Sequence, residues 1–146
     1  MQNITHKGAN SVWLEAPSLR PPPKHTIVYR PMGDAEVTYL WENKFLPDTQ
    51  PYQAIIEGPV GRWYSNKYLN GAKWTDTNPS TIVEFVVPIE LIEILKTMQT
   101  KIEDGAMSMG LGHKAGKGLG LFNQSMKDGK TTFRIVKVKR NIKVKS

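Results

Sequence analysis

Three stretches of this chain carry a strand pattern. Thr26-Ile27-Val28-Tyr29-Arg30 is a short β-branched and aromatic run stopped by Pro31, and Thr81 to Val87 is a longer run of the same kind. Thr131 to Lys139 alternates Phe133, Ile135 and Val138 with Arg134, Lys137 and Lys139, which predicts a half-buried last strand. Two stretches carry a helical pattern instead. Asp34 to Phe45 sets Ala35, Leu40 and Trp41 among acids, and after Pro88 the residues Leu91, Leu95, Met98 and Ile102 recur at helical spacing. Between these, residues 46–61 read as loop, with Pro47, Pro51, Gly58, Pro59 and Gly61 as breakers. Arg62 to Ser65 reads as a brief strand and Asn66 to Trp74 as a short helix, weakened by Gly71. Gly105 to Gly120 holds too many glycines for a helix interior, Leu121 to Met126 suits a helical turn, and Asp128-Gly129 is a hairpin-type turn signal. Strands and helices therefore interleave, and the pattern predicts an α+β domain without internal repeats.

The first 25 residues differ from the rest. They are mixed and polar and end in Arg20-Pro21-Pro22-Pro23-Lys24, where prolines remove donors and extend the backbone. They are expected to be a leader or linker from a longer parent chain, or a surface arm packed on its own domain by Trp13 and Leu14. Residues 26–146 then form one domain, since 146 residues with 39% hydrophobic composition suit a single core. Cysteine is absent, which removes thiol catalysis, thiolate zinc sites and disulfides from consideration. The histidines His6, His25 and His113 are scattered, so no metal site is expected. No apolar run reaches the roughly 18 residues of a membrane span, and no signal-peptide core is seen at the N-terminus.

Charge changes the picture more than composition does. The net +7 conceals an asymmetry: residues 101–146 carry eleven Lys or Arg against three acids, and the remainder is near balance. Lys114, Lys117, Lys127, Lys130, Arg134, Lys137, Lys139, Arg140, Lys143 and Lys145 crowd like charge where a polyanion would neutralise it. A phosphate-bearing partner is the first inference, and a solvated basic strand and tail is the bland one.

Four constellations are candidates for chemistry. Arg30, at the end of the first strand, is placed to grip a phosphate or carboxylate in two-point fashion, or simply to solvate a strand edge. In Gly58-Pro59-Val60-Gly61-Arg62-Trp63-Tyr64-Ser65 an aromatic pair and a hydroxyl follow flexible backbone, suited to stacking on a flat ring with Ser65 orienting a carboxylate, or to a turn into a strand whose Trp63 is core. Glu103-Asp104 is expected at a helix C-terminus, where acids oppose the macrodipole and so invite a reason other than helix stability. Gly110 to Gly118 resembles neither a Walker loop nor a dinucleotide fingerprint. Its amides, Lys114 and Lys117 still suit phosphate, and His113 suits acid–base work.

Taken together, Val28-Tyr29-Arg30-Pro31-Met32, Gly61-Arg62-Trp63-Tyr64-Ser65, Val83-Glu84-Phe85-Val86-Val87-Pro88 and the run from Glu103-Asp104-Gly105 through Gly116-Lys117-Gly118 to Leu121-Phe122-Asn123 resemble C-terminal effector domains of bacterial polymorphic toxins. These are the tips of rearrangement-hotspot (Rhs) and contact-dependent inhibition proteins. The resemblance implies a domain delivered into the cytoplasm of a competing bacterium and neutralised in the producer by a cognate immunity protein, acidic at its contact face. It implies an ADP-ribosyltransferase-like fold, with a curved, mostly antiparallel, split sheet and short interleaved helices. The activity implied is transfer of ADP-ribose from NAD to RNA or protein. Arg30 would bind the NAD backbone, Tyr64 would stack on nicotinamide beside Ser65, and Glu103 would be the catalytic acid. The serine follows Trp-Tyr where that family has a Ser-Thr-Ser type motif, and Lys101 stands where a second Glu or Gln precedes the catalytic one.

A second activity in such toxins is metal-independent RNA cleavage, as in the barnase, EndoU, colicin and RelE group. Here His113, Lys114, Lys130, Thr132 and Arg134 would supply base, acid and phosphate clamps. The basic C-terminal third favours it, and the interleaved element order favours the transferase. In either case Lys114, Lys117, Lys130, Arg134, Lys137 and Lys139 are the expected nucleic-acid contacts. A non-catalytic nucleic-acid-binding module explains the charge but leaves Arg30 and Glu103 idle.

Overall fold

Apolar residues on both sides of two neighbouring strands fix the centre of the molecule. The computed structural model describes residues 3–6, 11–17, 20–47, 54–58, 80–98, 100–103, 106–111 and 118–141. Its strands are β1 (Asn3–His6), β2 (Ser11–Glu15), β3 (His25–Met32), β4 (Ala54–Glu57), β5 (Thr81–Pro88), β6 (Thr100–Glu103), β7 (Ala106–Gly110) and β8 (Thr132–Asn141). Its helices are α1 (Asp34–Asn43), α2 (Ile89–Met98) and α3 (Gly118–Lys127). Val28 and Met32 of β3, with Val83, Phe85 and Val87 of β5, face one way and pack with Leu40 of α1, Ile92 and Leu95 of α2, and Phe122 and Met126 of α3. The other parity of the same strands, Ile27, Tyr29 and Ile82, packs with Ala16 and Val136. All three helices thus lie on one face of the sheet, and a smaller cluster lies on the opposite face.

The strands form one eight-stranded sheet in the order β1-β2-β8-β5-β3-β4-β7-β6, antiparallel at every described pairing. The α+β class and the antiparallel sheet agree with expectation; the split does not. The ladder continues from β2 to β6 because β5 bonds β3 on one side and β8 on the other, from Thr81 to Val86. Residues 1–25 were expected as leader or arm, and β1 and β2 within them extend this same sheet along β8 by backbone pairing. Pro22 and His25 close a turn, His25 N–H to Pro22 C=O at 3.1 Å, with Lys24 at φ 63° in the third position. The proline run therefore delivers the chain into β3 by a turn.

Further expectations are corrected by the element boundaries. The helix after Pro88 ends at Met98, and Ile102 lies in β6. An apolar residue at 102 fits helical spacing from Leu95 and Met98, yet it fits the alternation of Thr100-Lys101-Ile102-Glu103 equally well, so the pattern is ambiguous there. Glu103 is accordingly in an edge strand and not at a helix end. Asp128-Gly129 does not form a hairpin turn: Gly129 (φ 73°) follows α3, its N–H bonding Met126 C=O at 3.1 Å while Lys130 N–H bonds Ser125 C=O at 2.9 Å. That pair of bonds is the Schellman motif, which uses glycine for its left-handed conformation. β4 and β7 arise in segments read as loop, from the short runs Ala54-Ile55-Ile56 and Met107-Ser108-Met109, and α3 begins at Gly118, earlier than the turn expected from Leu121. The strand expected at 62–65 and the helix at 66–74 lie outside the described residues.

Candidate functional site

Glu84 is an acid in the middle of a central strand whose neighbours are Val83 and Phe85, and it is only 1% exposed. A carboxylate there must be partnered, because an isolated buried charge is far more costly than any fold of this size tolerates. The sheet register supplies both partners. Tyr29 of β3 and Arg134 of β8 stand opposite Glu84 on either side. Arg134 donates from Nε to Oε1 at 2.9 Å and from Nη2 to Oε2 at 3.3 Å, and Tyr29 donates its hydroxyl to Oε2 at 3.3 Å. Arg134 Nη2 also donates to Pro17 C=O at 2.8 Å. Its side chain remains 32% exposed. Among the described residues Nη1 has no partner, so the guanidinium is fixed at two nitrogens and presents the third.

What joins Arg134 to the other cations of β8 is an irregularity in the ladder. Val83 pairs with Ile135 but Ile82 pairs with Lys137, so Val136 is an extra residue, a β-bulge. Strict alternation sets Arg134 on one face and Lys137 and Lys139 on the other. The bulge shifts the parity by one, so that the positions of Arg134, Lys137 and Lys139 share the face opposite the helices, with Ile82 and Glu15 as the cross-strand neighbours of Lys137 and Trp13 as that of Lys139. Phe133 and Ile135 pack on the helix side, and Val136 is buried in the smaller cluster. Lys130 is exposed in the turn between α3 and β8, and Thr132 is exposed at the start of β8.

Arg30 has the opposite orientation. It is 8% exposed on the helix side of β3 and gripped by Glu36 of α1, Nε to Oε2 at 2.7 Å and Nη2 to Oε1 at 2.9 Å. Glu36 sits in the first turn of α1, where a carboxylate is favoured by the helix dipole, so the pair fastens α1 to the sheet. The register also separates Arg30 from Glu103. Tyr29, Ile56, Ser108 and Lys101 form one lateral row across β3, β4, β7 and β6. Position 103 shares the face of Lys101 and hence of Tyr29, whereas Arg30 is on the other face. Three strand spacings of about 4.8 Å place β6 roughly 14 Å from β3. The register of these strands therefore sets position 103 and Arg30, expected to share a pocket, on opposite faces of the sheet.

Tyr64, Ser65, His113, Lys114 and Lys117 lie outside the described residues. Of the expected site residues, the register sets the positions of Arg134, Lys137 and Lys139 on one face of β8. It adds Glu84 and Tyr29, which pattern reading treated only as strand. The signal was present in Thr81-Ile82-Val83-Glu84-Phe85-Val86-Val87, where a lone acid in a two-sided apolar strand demands a cation across the sheet. Compared with known proteins, the chain matches no family model, no curated protein and no solved structure.

Proposed function

We propose that this chain is an antibacterial toxin domain that acts on RNA, taking the phosphate backbone along the cationic face of β8 and cleaving it without a metal. The observation that carries the reading is Arg134, held by Glu84 and Pro17 with Nη1 unpartnered among the described residues, on the face that the Val136 bulge gives to the positions of Lys137 and Lys139. A guanidinium immobilised in this way needs little reorganisation to meet a phosphate, and it neutralises charge that grows during displacement at phosphorus. Glu84 is too deeply buried to touch RNA and acts as a positioning residue. His113 and Lys114 take the acid–base roles that the ribonuclease resemblance implies. The base removes the 2′-hydroxyl proton, the 2′-oxygen bonds to the adjacent phosphorus, and the P–O5′ bond breaks. The acid protonates the departing oxygen, leaving a 2′,3′-cyclic phosphate and a 5′-hydroxyl.

The second reading is ADP-ribose transfer from NAD to RNA or protein, through Arg30, Tyr64, Ser65 and Glu103. Arg30's rigid placement on a central strand favours it, but the guanidinium would have to exchange Glu36 for the NAD phosphates. Delivery by a larger protein, action in the target-cell cytoplasm and a cognate immunity protein rest on the toxin resemblance for both readings. One experiment separates the two. The domain is incubated with total bacterial RNA and protein, with and without labelled NAD. Shortened RNA with cyclic phosphate ends and no requirement for NAD supports cleavage, and label transfer onto intact RNA or protein overturns it in favour of the transferase.

A further inference from the structure

Trp41 is the most exposed of the large apolar side chains described, at 58%, on a helix whose inward face is supplied by Leu40 and Val37. An indole left in water on a ten-residue helix is not there for the core. Its surroundings are ordered nonetheless. The ring meets Phe133 edge-on, centroids 6.2 Å apart and planes at 78°, and the Lys44 ammonium stands 4.5 Å from its centroid. Lys44 is also 5.8 Å from the Phe133 ring, so one cation serves both aromatics. The adjoining Phe45 repeats the motif, with Lys127 at 4.5 Å and Tyr39 edge-on at 5.7 Å.

Several features hold this cluster in place. Lys44 caps α1 in a left-handed conformation, φ 66°, its N–H bonding Leu40 C=O at 2.8 Å. The following Leu46 is clasped by Asn123 of α3, which accepts from its N–H at 2.9 Å and donates to its C=O at 2.8 Å. The rings and ammonium groups are therefore presented by fixed backbone. Phe133 lies at the start of β8, where β2 pairs only from Lys137 onward; Ala16 and Pro17 reach this edge at Val136 and Arg134, and among the described residues no strand pairs there beside Phe133. Phe133, which the cluster packs on from the helix side, and Arg134 on the other face are consecutive residues of β8.

Resting on the RNA reading above, we propose that Trp41 is a stacking platform for an unpaired nucleobase, with Lys44 and Lys127 taking the flanking phosphates as the strand passes round the edge of β8 toward Arg134. The occupant is chosen by chemistry. A flat aromatic surface bordered by ammonium groups suits a base joined to phosphates, whereas a purely apolar partner leaves both lysines facing it unpaired.

The test uses the full chain and two fluorescein-labelled probes, a single-stranded 2′-O-methyl oligoribonucleotide, which resists 2′-hydroxyl attack, and an abasic oligomer of the same length. Trp41→Ala should weaken binding of the base-bearing probe by roughly tenfold or more, leave the abasic probe unchanged and preserve the salt slope. Trp41→Phe should retain most of the affinity and controls for loss of fold. Equal affinity of Trp41→Ala and the parent for the base-bearing probe overturns the platform. So does an equal loss on both probes. Failure of the parent to bind either probe overturns the RNA reading itself, and with it this inference. Loss of a concentration-dependent dimer in Trp41→Ala, with oligomer binding intact, would assign the ring to a second copy of the chain and overturn the platform alone.

Discussion

Glu84 and Arg134 face each other across β5 and β8, and the carboxylate is almost wholly buried while the guanidinium is about one-third exposed. The inequality fixes the direction of dependence between them. Arg134 reaches solvent only as Glu84 and Pro17 aim it, so Glu84→Gln should disorder the clamp without removing a group that touches RNA. Neutralising Glu84 leaves Tyr29 and Arg134 with a weaker acceptor, for which about 1–3 kcal/mol of stability is expected to be lost. RNA cleavage should fall steeply at temperatures where the variant is still folded. Denaturant unfolding and cleavage measured on the same preparation check this, and full activity in a folded Glu84→Gln would remove Glu84 from the site.

Arg30 and Glu36 are expected to be structural. Removing one member of a buried, two-point ion pair strands the other, and a loss of about 3–5 kcal/mol is expected for Arg30→Met or Glu36→Leu alone. The double variant Arg30→Met with Glu36→Leu removes both members of the pair and should recover most of that loss. It should also retain RNA cleavage. A folded double variant that has lost all activity would show that Arg30 binds substrate, as the transferase reading requires. Thermal unfolding and both activity assays on the three proteins distinguish the cases.

Lys137→Glu with Lys139→Glu should weaken RNA binding strongly at low salt and progressively less as salt rises. Each phosphate contact on a single strand contributes roughly 0.7 to the slope of log affinity against log salt, so loss of two should lower that slope by about 1.4. Fluorescence anisotropy titrations across a salt series measure both quantities. An unchanged slope would mean that the β8 lysines meet no phosphate.

Much of this arrangement was legible in the sequence, unevenly so. β3 and β5 are so densely β-branched that only one structure suits them, and the acids and Leu40 of α1 announce a helix just as clearly. β4, β6 and β7 were not legible, because strands of four or five residues have too little sequence to outweigh neighbouring prolines and glycines; their conformation is decided by the ladder they join. The same holds for the site. Arg134, Lys137 and Lys139 stand out as charge, but that they share a face depends on one unpaired residue. Arg30 looked available because a sequence does not show that Glu36, six positions on, turns back on a helix to hold it.

The bulge gives the sharpest expectation. Deleting one residue from a strand ordinarily turns every later side chain to the opposite face. Val136 is the exception, because β5 already skips it: without Val136, Ile135 remains opposite Val83, Lys137 becomes its direct successor opposite Ile82, and Val138 stays opposite Thr81. The ladder becomes regular and the cations keep their face. Deletion of Val136 should therefore preserve RNA affinity while lowering stability by about 1.5–3 kcal/mol, the contribution of a buried valine, since Val136 is 1% exposed and its C=O accepts from Ala16 N–H at 2.7 Å. Deletion of Val138, one turn of the pleat further on, shifts Lys139 onto the helix-side parity and should reduce affinity instead. If the Val136 deletion loses binding as severely as the double glutamate variant, the three cations do not act as one row.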